Sequence, residues 1–140
     1  KKTMLFDPKE SIDFNGNTAS FIQYTHARIC SIIRKAQDNG ITFGKEVCVT
    51  DLHAKEKMLL INIYNWQSVL EQAAINRSPA MIANYVYELA KDFNQFYHEC
   101  SIMREDDVKR REFRLQLVDM TAKLLRNASG LLGISMPEKM

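Results

Sequence analysis

From Pro79 to Glu99 the chain reads PAMIANYVYELAKDFNQFYHE, with Ile82, Val86, Leu89, Phe93 and Phe96 falling three or four positions apart. That spacing follows the 3.6-residue turn of an α-helix and lays all five side chains on one stripe. A half-buried strand would alternate at every second position. Ser78-Pro79 just ahead is a start signal, a capping hydroxyl followed by a residue whose fixed φ suits the first helical position. A second helix is predicted from Thr18 as N-cap to Asn39, its stripe running through Ile22, Ile29, Ile32, Ile33 and Ala36. Gly40 is placed to end it in the left-handed conformation. HAKEKMLLINIY predicts another helix, broken at Asn65-Trp66 and resumed by QSVLEQAAINR. The last helix is predicted to begin near Asp106, where REDD suits a helix N-terminus, and to end around Gly133. Phe113, Leu117, Leu124, Ala128 and Leu131 are predicted on its buried side.

The remaining stretches read as connectors. Residues 1–18, KKTMLFDPKESIDFNGNT, carry turn residues and isolated aromatics, and are expected to be a mobile linker. Residues 40–52 hold short β-like runs, too few for a sheet. A length of 140 residues with 46% hydrophobic content suits one domain with a real core. The expectation is an all-α bundle of about five helices over residues 19–140. The opening KKTMLFDP, without an initiator Met, reads as a cut inside a longer protein, so the chain is treated as a fragment.

Composition excludes several function classes. With 19 basic and 17 acidic side chains the net charge is +2, so any nucleic-acid binding needs a local patch. Cys30, Cys48 and Cys100 lack the spacing of a zinc site or a disulfide framework, and suit a reducing cytoplasm. No apolar run is long enough to span a bilayer and no signal-peptide pattern opens the chain. His26, His53 and His98 sit on different predicted helices without a second ligand one turn away, so they read as ordinary lone histidines at or near the surface. Neither GITFG nor FNG has the Lys and hydroxyl of a phosphate-cradling loop, and there is no nucleophile elbow. No catalytic centre is visible.

A different pattern remains. Phe21, Tyr24 and Arg28 stack along one side of the first helix, at or beyond the rim of its apolar stripe, and Tyr97 closes the FNQFY segment. Aromatics beside Arg hold unstacked bases, but the edge of a core looks the same in sequence. Arg34, Lys35, the VKRREFR run at 108–114, Lys123 and Arg126 supply cations that fit either ordinary solvated surface or an RNA-facing patch. Periodicity leaves two readings open: a helical bundle binding single-stranded nucleic acid, and a protein-interaction module using Trp66 and the apolar rim.

MLFDPKESIDFNGNT-ASFIQYTHARI resembles the segment by which arginyl-tRNA synthetases pass from their class I catalytic domain into the anticodon-binding domain. SPAMIANYVYELAKDFNQFYHECSIM is similar to the helix of that family ending in FNxFY, and LLRNASGLLGISMPEKM to its closing segment. The resemblance spans nearly all of the chain. It implies the helical domain of the type named DALR, which receives the anticodon stem-loop of tRNA-Arg and packs beside the enzyme's own catalytic domain. The full enzyme joins arginine to tRNA using ATP and Mg²⁺, in the cytoplasm. The HIGH-type and KMSK-type signatures of that chemistry are missing from this stretch, which is therefore expected to need no cofactor, to be inactive alone and to be a monomer. Carried over position by position, the anticodon-binding residues are Phe21, Tyr24, Tyr97 and Met140, with Arg28 either on phosphate or in packing. Two departures stand out: Ala19-Ser20 where the family has Gly-Pro, and Lys139 where it has Arg, which keeps the charge without the planar fork.

Overall fold

The computed structural model describes residues 18–44 and 47–140. Apart from Thr18, the linker predicted over residues 1–18 lies outside the described residues. The helices are α1 (Ala19–Asp38), α2 (Ala54–Tyr64), α3 (Trp66–Ile75), α4 (Pro79–Glu99) and α5 (Val108–Leu131). There is no strand among the described residues. Asn65 alone separates α2 from α3, at φ −72° and ψ −8°, and its N–H still bonds back to Ile61. Counted as one kinked rod, this pair leaves four rods among the described residues rather than five.

Helix α4 lies at the centre and touches each of the other four. The sequence explains why: its stripe of Ile82, Val86, Leu89, Phe93 and Phe96 is buried as predicted, and Tyr85 and Ala90 widen it. Side chains buried across so broad an arc need neighbours on several sides. Ile41 and Phe43, from the connector after α1, pack against the same core.

Local chemistry sets the helix ends. The Thr18 hydroxyl accepts from the Phe21 N–H at 3.2 Å, so α1 is capped even with Ala19-Ser20 following. At its other end the N–H groups of Gly40 and Ile41 bond to the carbonyls of Gln37 and Ala36, with Gly40 at φ +68°. This left-handed terminator is the one read from sequence. Asp107 caps α5 by accepting from Lys109 and Arg110. Ser78 departs from expectation. It occupies the N-cap of α4, but its hydroxyl makes no capping bond, and Pro79 alone favours the start.

The predicted face of α5 was rotated. Leu117 and Ala128 are buried, but Leu131 is 59% exposed, and Phe113 and Leu124 are only half-buried. Instead the inner face carries Arg114, Leu115, Val118, Thr121, Leu125 and Ser129. Three polar residues on that face concealed it from a hydrophobicity pattern.

Arg114 is the clearest case. Read from sequence as one of four solvent-facing cations, it is 6% exposed and held on three sides. Its Nε donates to Glu56 Oε1 at 2.5 Å, and its Nη1 donates to Glu105 and to the Ser101 carbonyl, each at 2.5 Å. Glu56 is fully buried, and its other oxygen accepts from the His53 backbone N–H at 2.7 Å, closing the capping box of α2. One ionic cluster thus ties α2, α5 and the loop before α5 together. Removing the cation from such a pair leaves a carboxylate buried and unpaired. Arg114→Leu is expected to destabilise the fold by about 3–5 kcal/mol in urea unfolding. A loss within ~1 kcal/mol, the range of an exposed pair, would contradict this account.

Candidate nucleic-acid interface

Helix α1 crosses α4 so that Tyr24 and Arg28 come up beside Tyr97. The Arg28 guanidinium carbon lies 4.8 Å from the centre of the Tyr24 ring and 5.8 Å from that of Tyr97. A cation between two π-faces is attracted to both, and it carries positive charge into the centre of the cluster. Both rings remain accessible, Tyr24 at 43% and Tyr97 at 42%.

The cluster is built on fixed supports. Tyr97 lies almost parallel to Phe93, with ring centres 6.1 Å apart and 18° between planes, and Phe93 is fully buried. Arg28 donates to Asn94 Oδ1 at 3.1 Å, while Asn94 Nδ2 donates to the Thr25 hydroxyl at 3.0 Å. That hydroxyl donates in turn to the Phe21 carbonyl at 2.9 Å. The chain of bonds fixes the guanidinium plane and the orientation of the Asn94 amide. Asn94 was not singled out in sequence, although it sits inside FNQFY. A polar residue flanked by two core aromatics was the available signal.

Phe21 is not part of this cluster. Its ring tilts against Tyr87 at 5.6 Å, and the two line an open cleft of about 440 Å³ along α4 with Lys91, Asn94 and His98. The cleft borders the cluster at Asn94. Met140 is 67% exposed and takes no part in these ring and cation contacts. Trp66 lies 5.0 Å from the Tyr85 ring and packs against the core, so it offers little to an outside partner.

The basic run contributes less surface than its composition promised. Besides the buried Arg114, Arg110 donates to the Asp51 carbonyl and Arg111 to that of Glu105. Lys123 pairs with Asp119 at 2.7 Å and Arg126 with Glu138 at 2.8 Å. Of the cations singled out in sequence, Lys35, Lys109, Lys123 and Arg126 are exposed, the last two within those ion pairs.

His26 also departs from expectation. Rather than a boundary residue it is fully buried, and its Nδ1 lies 2.8 Å from the Pro137 carbonyl. A carbonyl only accepts, so Nδ1 carries the proton. Desolvation, chiefly, lowers its pKa below 6.5. The Pro137 carbonyl and Glu138 oppose the shift, and Arg126 adds to it. The folded-state pKa lies below the unfolded one, so stability from neutral His26 is complete above about 6.5 and declines as pH falls below it. Between pH 7.5 and 5.5 the wild-type unfolding midpoint is expected to fall further than that of His26→Asn. Equal shifts in the two proteins would refute the assignment.

A bundle presenting accessible tyrosines around an oriented guanidinium has the parts of a surface for unpaired bases. The profile of the DALR anticodon binding domain matches residues 22–140, and the chain belongs to that family. The chain is 48% identical to the arginine–tRNA ligase of Phocaeicola vulgatus over 141 aligned positions, covering 100% of this chain and 23% of the relative. It is 49% identical to that of Flavobacterium psychrophilum over 141 positions, with the same coverage of 100% and 23%. Among solved structures it superposes on Thermus thermophilus arginyl-tRNA synthetase with a TM-score of 0.88 at 29% identity, covering 100% of this chain and 24% of that one. A putative arginyl-tRNA synthetase of Campylobacter jejuni gives 0.80 at 26% identity, covering 96% and 29%. The chain therefore spans about a quarter of the length of the relatives it matches. Among the described residues no helix is long and apolar enough to cross a membrane, and no cluster of ligands could hold a metal.

Proposed function

We propose that this chain is the anticodon-arm-binding part of an arginine–tRNA ligase and that it holds loop nucleotides of tRNA-Arg against Tyr24, Arg28 and Tyr97. The observation carrying this reading is the pair of half-exposed tyrosine rings bridged by one guanidinium and backed by a buried aromatic. The rings offer π-faces to bases that have left the helical stack, and Arg28 offers charge to the phosphates between them. Phe21 and the adjoining cleft extend the surface for flanking nucleotides, and the exposed Met140 is included as a further base contact on the family resemblance. Arginine activation with ATP and Mg²⁺ belongs to the catalytic part of the ligase, which the described residues do not contain. A monomer working in the cytoplasm completes the proposal.

A titration with the anticodon stem-loop of tRNA-Arg tests it. Binding is expected to weaken as salt rises, because phosphate contacts release counterions. It is also expected to exceed binding to an unrelated stem-loop. Tyr97→Ala or Tyr24→Ala should each cost about 1–3 kcal/mol if each ring carries a base. Equal affinity for both stem-loops, or tyrosine variants that bind like wild type, would overturn the assignment.

A second reading, a bundle that docks on protein, is favoured by Ile61, Tyr64 and Ile75 on the α2–α3 rod, which are 50%, 85% and 73% exposed. In that case the tyrosine variants leave partner binding unchanged, while Tyr64→Ser abolishes it.

A further inference from the structure

At the N-terminal end of α1 the bundle partly encloses a cavity of about 170 Å³. Ile22 of α1 and Val86 of α4 form two of its walls. Leu132, Ile134 and Met136, from the chain leaving α5, form a third, and Thr18 lines the cavity beside them. The third wall is pinned. Gln23 donates to the Ser135 carbonyl at 3.0 Å, the His26 ring to that of Pro137 at 2.8 Å, and Arg34 to that of Glu138 at 3.0 Å. A wall fixed in this way cannot close the space by shifting inward, so the apolar side chains around it are left short of contacts. A cavity of about 150 Å³ with apolar walls takes up a benzene ring. The space is therefore suited, in size and chemistry, to one aromatic side chain.

We infer that this cavity is the seat of Phe14, carried there by the chain that leads into α1. Phe14 itself lies outside the described residues. The chain enters the helix at Thr18, which lines the cavity, so an occupant is supplied most directly from a few residues upstream. A helix start is often clamped by an apolar residue just before the N-cap, packed on the fourth helical residue. Here that fourth residue is Ile22, a wall of the cavity, but the position before the cap is Asn17, which has no apolar surface to offer. Phe14 stands three residues before Asn17, and between them lies Asn15-Gly16, a pair that strongly favours a tight turn. Such a turn brings its first and fourth residues within about 7 Å, so Phe14 arrives where the clamp is missing. Phe6 is too far upstream to share this turn. The free linker expected from composition then stops at Asp13, and whatever precedes it pivots about Phe14 rather than about Thr18. None of this depends on RNA binding.

The test uses the 140-residue chain. Phe14→Ala is expected to lower the thermal midpoint by roughly 5–15 °C, whereas Phe6→Ala leaves it unchanged. A ring seated beside Val86 and Ile134 shifts their methyl resonances upfield. Phe14→Leu keeps an apolar side chain without the ring current, and is expected to remove that shift. Benzene reads the space directly: Phe14→Ala is expected to bind it, seen as new methyl shifts at the same two residues, and wild type is not. Wild type that binds benzene as readily as the variant would overturn the inference, because the cavity would then be vacant or kept for another partner. Val86 and Ile134 resonances that are the same in wild type and Phe14→Leu would do so as well. A ring shift that fades on dilution would also overturn it, since the ring would come from a second copy of the chain. Phe14→Leu and the wild-type benzene titration decide the matter even where Phe14→Ala does not fold.

Discussion

Phe93 carries two loads at once. One side of its ring meets Phe96 inside the bundle, with centres 6.1 Å apart, and Tyr97 lies nearly parallel to it at the surface. A solvent-facing tyrosine is ordinarily free to change rotamer and loses that freedom when a ligand stacks on it. Here the core has already fixed the ring, so a base stacking on Tyr97 as proposed would meet an ordered face. The same helix supplies Asn94, which orients Arg28 and through Thr25 is tied to the backbone of α1. The proposed binding surface is therefore the outer edge of the packing between α1 and α4, and its rigidity derives from the core beneath it.

The elements easiest to find in the sequence were those with a strong apolar period. Helices α1 and α4, the left-handed stop at Gly40 and the Asn65 break all read directly from residue spacing. Helix α5 did not, because Arg114, Thr121 and Ser129 lie on its inner face and shift the apparent stripe toward Leu131. Nothing in a single sequence announces that Glu56, in the first turn of a helix fifty-odd residues away, will neutralise Arg114. His26 was misplaced for a related reason: its partner is a backbone carbonyl, and carbonyls have no sequence signature.

At the candidate site, Tyr24, Arg28 and Tyr97 were legible as a group once α1 and α4 were taken to pack together. Phe21 looked equivalent to Tyr24 by spacing, yet the ring of Tyr87 draws it into the neighbouring cleft. Cation counting misled most. Of the VKRREFR run, one guanidinium is internal and two hold carbonyls, which leaves Lys109 as its solvated charge. A linear run of like charge says little about surface potential until the partners of each group are known.

The stop at the end of α5 carries an implication for how this domain tolerates change. The N–H of Gly133 bonds to Gly130 and that of Ile134 to Ser129, so the point where the chain leaves the helix is locked to the helix's own phase. One residue gained or lost ahead of this point would swing the departing chain by about 100° around the α5 axis. Every carbonyl that now meets α1 would then point elsewhere. The length of α5 acts as a ruler, because its count of residues sets which carbonyls reach Gln23, His26 and Arg34 on α1.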